Sequence, residues 1–254
     1  MTTPAELFAF YVAQRRAYSI AGFKREILPA FTRYTPSLPD RDGIITFATL
    51  SAAEADEAVA GQIAYFADLG QPFEWKVHTL DQPADLAGRL RRHGFAAGET
   101  EAFMLYPLAE HHGVRQPPGV KIKPIQSESE IRALVALQES IWGEPLGWLA
   151  TTLQTSLERL EIYGAYDNDK LLGTGWIEYP PHSSIADLHG GAVRPDYRGR
   201  GIYNALFDVR AASAQVRGVE WLAVDAAPMS RPILLRQGFR FVCETTPFRL
   251  PAPH

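Results

Sequence analysis

The chain has one cysteine in 254 residues, Cys243, so it cannot close an internal disulfide and a reducing compartment is expected. No apolar run approaches the length needed to span a bilayer, and Met1-Thr2-Thr3-Pro4 offers no charged leader ahead of an apolar core. Basic residues are in slight deficit, 25 Lys and Arg against 29 Asp and Glu for a net charge of −4, and they form no block. Nucleic acid is therefore not an expected partner. Neither G-x-G-x-x-G nor G-x-x-x-x-G-K-[ST] occurs, which removes the dinucleotide-binding and nucleoside-triphosphatase fingerprints. His111 and His112 have no carboxylate or cysteine cluster beside them, so no metal centre is expected. These absences leave a cytoplasmic protein, not membrane-bound, whose 46% hydrophobic content suffices for real cores.

What is present is concentrated between Val193 and Leu206, where a strand end, a glycine-studded turn and a helix start follow one another. Ile185 to Val193 is short, partly alternating and bounded by turn formers, which reads as a strand. Ile202, Leu206, Val209, Ala212 and Val216 recur at spacings of four, three, three and four, one face of a helix ending near Gly218. Gly199 and Gly201 thus lie at the strand-to-helix joint, where they admit positive φ and keep side chains clear of the backbone. The helix start presents unpaired N–H groups and the positive end of its dipole, and Arg198 and Arg200 add cationic donors. Such a joint is built to hold phosphate.

On these residues the chain resembles the GNAT N-acetyltransferase superfamily, whose acyl-CoA pyrophosphate loop reads [Q/R]-x-x-G-x-[G/A]. Arg198, Gly199, Arg200, Gly201 and Ile202 match, while Tyr203 stands where the family usually has Gly or Ala. A second landmark follows in order: Trp221 to Ala226 reads as a buried strand, Ser230 to Gln237 as a short helix, and Gly238-Phe239 as its stop, a pair common in the family. The resemblance implies an α/β fold with a mixed sheet, acetyl-CoA as acyl donor, no metal, and a small-molecule or peptide amine as acceptor. It assigns donor binding to Ala192, Val193, Arg198, Gly199, Arg200, Gly201, Ile202, Tyr203 and Ser230. The match is incomplete. Leu234 stands where many members carry a tyrosine that protonates the CoA thiolate, and Ala227 where an asparagine is common.

A break in composition at 111–119 divides the chain into an expected domain at 1–110, a linker, and an acyltransferase domain at 120–254. In the latter, Val120 to Pro124 reads as a strand, Ser127 and Glu130 as a capping box, Leu146 to Leu160 as a second helix, and Glu161–Tyr166 and Lys170–Tyr179 as strands. Trp75, Gly94-Phe95, Glu99, Phe103 and Leu105 are echoed by Trp221, Gly238-Phe239, Glu244, Phe248 and Leu250 at offsets of 144 to 146. The first half therefore reads as a repeat of the same fold. It opens with expected helices bearing Leu7, Phe8, Tyr11 and Val12 and then Ile27, Leu28 and Phe31. Gly43–Leu50 reads as a strand that meets its helix at Leu50-Ser51 without a glycine loop, so this half is degenerate and one donor site per chain is expected.

Chemistry requires a base, because an amine of pKa ~10.4 costs roughly 4 to 5 kcal/mol to deprotonate at pH 7. By the period-two rule Asp187, His189, Gly191 and Val193 share a strand face, which offers Asp187 and His189 as candidates. Glu178 on the preceding strand is a third. Tyr203 and Ser230 are candidate donors to the leaving thiolate, and Trp142, Glu144 and Trp148 surround the joint that overhangs the acceptor in this fold. Leu234 and Ala227 equally suit a non-catalytic acyl-CoA-binding or regulatory protein of the same fold, which stays open as the alternative.

Overall fold

The computed structural model describes residues 3–16, 18–20, 22–37 and 41–252; of the leader segment considered above, Met1 and Thr2 lie outside the described residues. The first half runs α1 (Pro4–Arg16), β1 (Phe23–Ile27), β2 (Thr32–Pro36), β3 (Gly43–Thr46), α2 (Ala55–Asp68), β4 (Phe73–His78), α3 (Leu86–Arg92), β5 (Ala96–Ala97) and β6 (Glu101–Pro107). The second runs β7 (Lys121–Pro124), α4 (Glu128–Trp142), α5 (Gly147–Thr155), β8 (Leu160–Asp167), β9 (Lys170–Glu178), β10 (Ile185–Val193), α6 (Ile202–Val216), β11 (Trp221–Ala226), α7 (Arg231–Arg236) and β12 (Arg240–Leu250). No described helix is long and apolar enough to cross a membrane.

The chain divides into two compact units, residues 1–105 with 225–254 and residues 106–224. This differs from the expected division at 110 and 120, and the reason is a strand pairing. β12 does not close the second half; it pairs antiparallel with β4 and with β6 of the first. The first unit has strand order β1-β2-β3-β4-β12-β6, with β3 and β4 parallel. The second has β11-β10-β9-β8-β7, with β10 and β11 parallel and the other neighbours antiparallel.

The repeat is visible in the elements. β3-α2-β4-α3-β6 and β10-α6-β11-α7-β12 follow one pattern, and their parallel pairs include Ile45↔Trp75 and Ile185↔Trp221. The Gly-Phe stops are made alike. Gly94 and Gly238 take φ of 89° and 99°, and the N–H groups of Phe95 and Phe239 reach back to Leu90 O (3.1 Å) and Leu234 O (3.0 Å). The fold is thus a mixed α/β tandem with a degenerate first half.

Several local expectations are corrected. Ile27 belongs to β1, paired with β2 from Phe23↔Pro36 to Ile27↔Thr32, so one helix and a hairpin open the chain where two helices were expected. Phe23–Ile27 and Thr32–Pro36 are joined by a turn containing Pro29, which has no N–H to carry a helix onward. β3 stops at Thr46, since Phe47 takes φ of 60°, and α5 ends at Thr155 because Leu160 already begins β8. On α6 the expected stripe drifts: Val216 is 90% exposed, whereas Asp208 and Arg210 are buried. The segment 111–119 is no free linker. His111 is buried, with its ring edge-on to Phe207, and burial pushes its pKa down. Arg115 donates to the buried Asp208 from its backbone N–H (2.9 Å) and guanidinium (2.7 Å).

α4 begins where the capping box was expected, with Ser127 Oγ accepting from Glu130 N–H (3.3 Å) and the Glu130 carboxylate accepting from Ser127 N–H (2.9 Å). α6 is held to the sheet by Glu161, which accepts from Tyr163, Tyr179, Ser213 and Arg217. Burial alone would raise this carboxyl, but the four donors outweigh it and hold it below the usual range.

Phe248 on β12 is 1% exposed among Phe73, Trp75 and Leu90. Phe248→Ala is expected to cost about 3 to 5 kcal/mol and to speed amide exchange in β4 while sparing β8 and β9; the opposite distribution would overturn the unit assignment. Because the folded-state pKa of Glu161 is depressed, its stabilisation is present above the unfolded value of ~4.3 and disappears as pH falls through the folded value. The melting-temperature gap between wild type and Glu161→Gln should therefore be full above about pH 5 and close in more acidic buffer.

Candidate functional site

β10 is the axis of the site. It pairs with β11 only through Ile185↔Trp221, Ala186↔Leu222 and Asp187↔Ala223, after which the parallel ladder stops. On its other side it follows β9 from Asp187↔Glu178 to Val193↔Gly173, with one extra residue between His189 and Ala192. That residue makes a β-bulge, which kinks the strand. Gly190 in the bulge takes φ of 58°, and a Cβ there would lie 1.7 Å from the Trp176 ring, so a side chain is excluded. Beyond Asp187, among the described residues, no strand pairs with the backbone edge of β10 on the β11 side, which suits an extended ligand carrying amide groups.

The bulge also breaks the alternation assumed above. His189 lies opposite Trp176, which packs against the α4 and α5 core, whereas a Cβ on Gly191 would meet the Tyr203 ring at 3.0 Å and Val193 packs with Ile202 and Leu206 of α6. The expected common face is therefore split by the extra residue. Asp187 and His189 keep one face, and Gly191 and Val193 turn to the other. Tyr203 lies on the α6 side, across β10 from Asp187 and His189.

On the α4 side the structure brings three candidate groups together. Half-buried Asp187 lies directly across from Glu178, and His189, its side chain 44% exposed, has Nε2 3.7 Å from Glu178 Oε2. Arg159 Nη2 stands 3.9 Å from the other Glu178 oxygen, and the His189 ring stacks on Trp176 at 6.3 Å. At the end of α4, Trp142 is half-exposed and its indole N–H donates to Gln138 Oε1 (2.8 Å). Trp148 is 62% exposed at the start of α5, and Glu144 lies exposed between the two helices.

After β10 the chain makes a 3₁₀ turn over 195–197 and enters the glycine turn. Gly199 and Gly201 take φ of 74° and 78°, and a Cβ at Gly199 would have no atom within 4 Å, so the turn faces open space. Ala205 N–H is the first on α6 to bond back within the helix, to Gly201 O (3.0 Å), which leaves the N–H groups of Ile202 and Tyr203 without intrahelical acceptors. Arg198 Nε donates to Val193 O (3.2 Å), tying the turn to the strand end, and Arg200 donates to Asp196 O (3.2 Å) with its guanidinium 4.8 Å from the Tyr197 ring centre. Lys170 reaches the same tyrosine, donating to its hydroxyl (3.0 Å). Ile202 itself is core. The donor set of backbone N–H groups and two arginines, beside an open strand edge, fits an acyl-CoA. Ser230 precedes α7 in the first unit and makes no side-chain cap. Among the described residues no group of three or more His, Cys, Asp or Glu is placed to hold a metal.

Three contributors escaped sequence reasoning: Lys170, Gln138 and Arg210. The last two carry a faint signal, polar residues at helical spacing within apolar stripes. Gln138 follows Ile131, Leu134 and Val135 on α4, and Arg210 follows Leu206 on α6.

A bulged strand parted from its parallel neighbour thus leads into a glycine turn at a helix start. Residues 129–239 match the family model described as the Acetyltransferase (GNAT) family. Among solved structures the chain resembles a GCN5-related N-acetyltransferase from Kribbella flavida (TM-score 0.74, 14% identity, covering 100% of this chain and 98% of that one). It also resembles a functionally unknown conserved protein from Staphylococcus epidermidis (0.67, 14%, 92% and 96%). A tandem GNAT protein from the clavulanic acid biosynthesis pathway is similar as well (0.63, 11%, 93% and 86%). At these identities the likeness is one of fold. No match is found among the curated proteins.

Gly190→Ala should lower the melting temperature by about 4 °C or more, because both the φ and the Trp176 contact oppose it. Gly61→Ala, with nothing within 4 Å on α2, is expected to be neutral or stabilising. Equal melting temperatures for the two variants would remove Gly190 from its structural role.

Proposed function

We propose that the chain is an N-acyltransferase that moves an acetyl group from acetyl-CoA to a primary amine by direct attack. The observation that carries the reading is the open edge of β10, which ends in a bulge and runs into the glycine turn. Gly199, Arg200, Gly201 and the start of α6 would hold the pyrophosphate, with Ala192 and Val193 beside the pantetheine chain. Bound there, acetyl-CoA supplies an activated thioester carbonyl. An acyl group on a strand edge is open to both faces of the sheet, which gives meaning to the division of candidate groups across β10. His189, oriented by Glu178 and next to Asp187, takes the amine proton on the α4 side. Tyr203 delivers a proton to the thiolate from the α6 side. N–H groups of β10 stabilise the tetrahedral oxyanion. Trp142, Glu144 and Trp148 shape the acceptor pocket, which takes a small-molecule or peptide amine. The first half serves as scaffold, since its strand-to-helix joint lacks glycines.

A second reading, a non-catalytic acyl-CoA-binding protein, is favoured by Leu234, which is 1% exposed and has no proton to give at the family's usual acid position. Thiol release from acetyl-CoA across a panel of amines separates the two. Turnover with any amine supports the enzyme, and saturable acetyl-CoA binding without thiol release throughout the panel supports the second reading. Within the enzyme reading, Tyr203→Phe is expected to lower kcat about 100-fold with acetyl-CoA affinity little changed; an unaltered kcat would exclude Tyr203 as the acid.

A further inference from the structure

The bulge of β10 turns two carbonyls toward side chains, one on each face of the sheet. From α4, Gln138 Nε2 donates to Gly190 O (2.8 Å) and to Thr174 Oγ1 on β9 (2.8 Å). Its Oε1 accepts from the Trp142 indole (2.8 Å). From α6, Arg210 Nη1 donates to His189 O (3.3 Å) and Trp176 O (3.2 Å), and its Nε donates to Leu206 O (2.8 Å). Both residues are 2% exposed. Gly175 provides the space, because a Cβ there would lie 2.9 Å from the Arg210 guanidinium carbon.

Neither residue is an economical choice for a core. The hydrogen-bond partners of Arg210 given above are all carbonyls, and burial pushes its pKa down to about 10. A well-packed apolar side chain usually stabilises such a position at least as well as a buried charge. Gln138 is equally particular: an indole only donates and a carbonyl only accepts, so the side chain between them must do both, and an amide does.

We infer that Gln138 and Arg210 are positioning residues that clamp the bulge from both faces. Gln138 also links the bulge to Trp142, so the donor edge and the acceptor wall are set by one chain of hydrogen bonds, Trp142 to Gln138 to Gly190. The inference rests on the acyltransferase reading for its functional meaning; the clamp itself is read from the fold.

Gln138→Glu isolates the donor function. An ionised carboxylate still accepts from Trp142 but repels Gly190 O, whereas a protonated one donates again. Its direct partners, an indole N–H, a hydroxyl and a carbonyl, carry no charge. The charged or titratable groups on its own helix are Glu128, Glu130, Arg132 and Glu139; β9 carries Lys170 and Glu178, β10 carries Asp187 and His189, α5 carries none, and across the sheet α6 carries Tyr203, Asp208 and Arg210. Calorimetric titration of the full chain with acetyl-CoA should find Gln138→Glu about tenfold weaker than wild type near pH 8, recovering as pH is lowered toward 5.5. Gln138→Leu should be weak at both, Arg210→Met weak, and Arg210→Lys partly restored. Amide exchange at 189–192 should be faster in each weakened state. Recovery of Gln138→Glu at low pH is a response that loose packing alone does not produce, and it stands if Arg210→Met fails to fold. Wild-type affinity in Gln138→Glu near pH 8, or unchanged exchange at 189–192, overturns the clamp. Failure of the wild type to bind acetyl-CoA overturns the functional reading instead, while exchange still decides the clamp.

Discussion

The Gly190 backbone packs against the Trp176 ring, and the arrangement of the second unit depends on that contact. A side chain at 190 would collide with the ring, so the contact holds the positive φ and the extra residue in place. The extra residue turns Gly191 and Val193 to the α6 side and leaves Asp187 and His189 on the α4 side. The parallel ladder to β11 ends two residues before His189, where continued pairing would fill the strand edge. One glycine therefore governs both the opening of the sheet and the side on which each candidate group stands.

Polar groups in the second unit follow the same logic of satisfied burial. Asp208 is buried and takes three hydrogen bonds from Arg115. Glu161 gathers four donors and is held ionised to lower pH than an ordinary glutamate. Arg210 differs, because its charge meets carbonyl dipoles without a carboxylate among those partners. Carbonyls that leave a ladder at a bulge must find donors or lose a hydrogen bond in the interior. A guanidinium and an amide supply them from opposite sides.

The two halves share a pattern but use it differently. β3 and β4 are parallel, with Ile45 opposite Trp75, as β10 and β11 are, with Ile185 opposite Trp221, yet β3 is followed by Phe47 in the left-handed region and a joint without glycines. Phe47 stacks on the buried His78, with Phe8 of α1 against the same ring. Where the second half parts its parallel strands, the first half packs aromatic rings. The last strand, β12, lies between β4 and β6, so the C-terminal segment is integral to the first unit.

Much of this was legible in the sequence because it is written in short-range chemistry. The Ser127 and Glu130 capping box, the Gly-Phe helix stops and the Gly199 and Gly201 turn all rest on residues a few positions apart, and the repeat shows as the same local pattern met twice at a near-constant offset. The β1–β2 hairpin was misread because Ile27, Leu28 and Phe31 also fit a helical spacing, and only pairing along the hairpin decides between the two. The extra residue at Gly190-Gly191 breaks the period-two alternation, so Gly191 and Val193 lie on the face opposite to the one expected. By itself the sequence determined the element order of the second half, the glycine turn at the start of α6 and the absence of such a turn in the first half, since local backbone preferences and helix ends dictate them. Only the tertiary structure decided the partner of β12, the split of candidate groups across β10 and the burial of Gln138 and Arg210. Those depend on which distant segments come into contact, and no local preference encodes that.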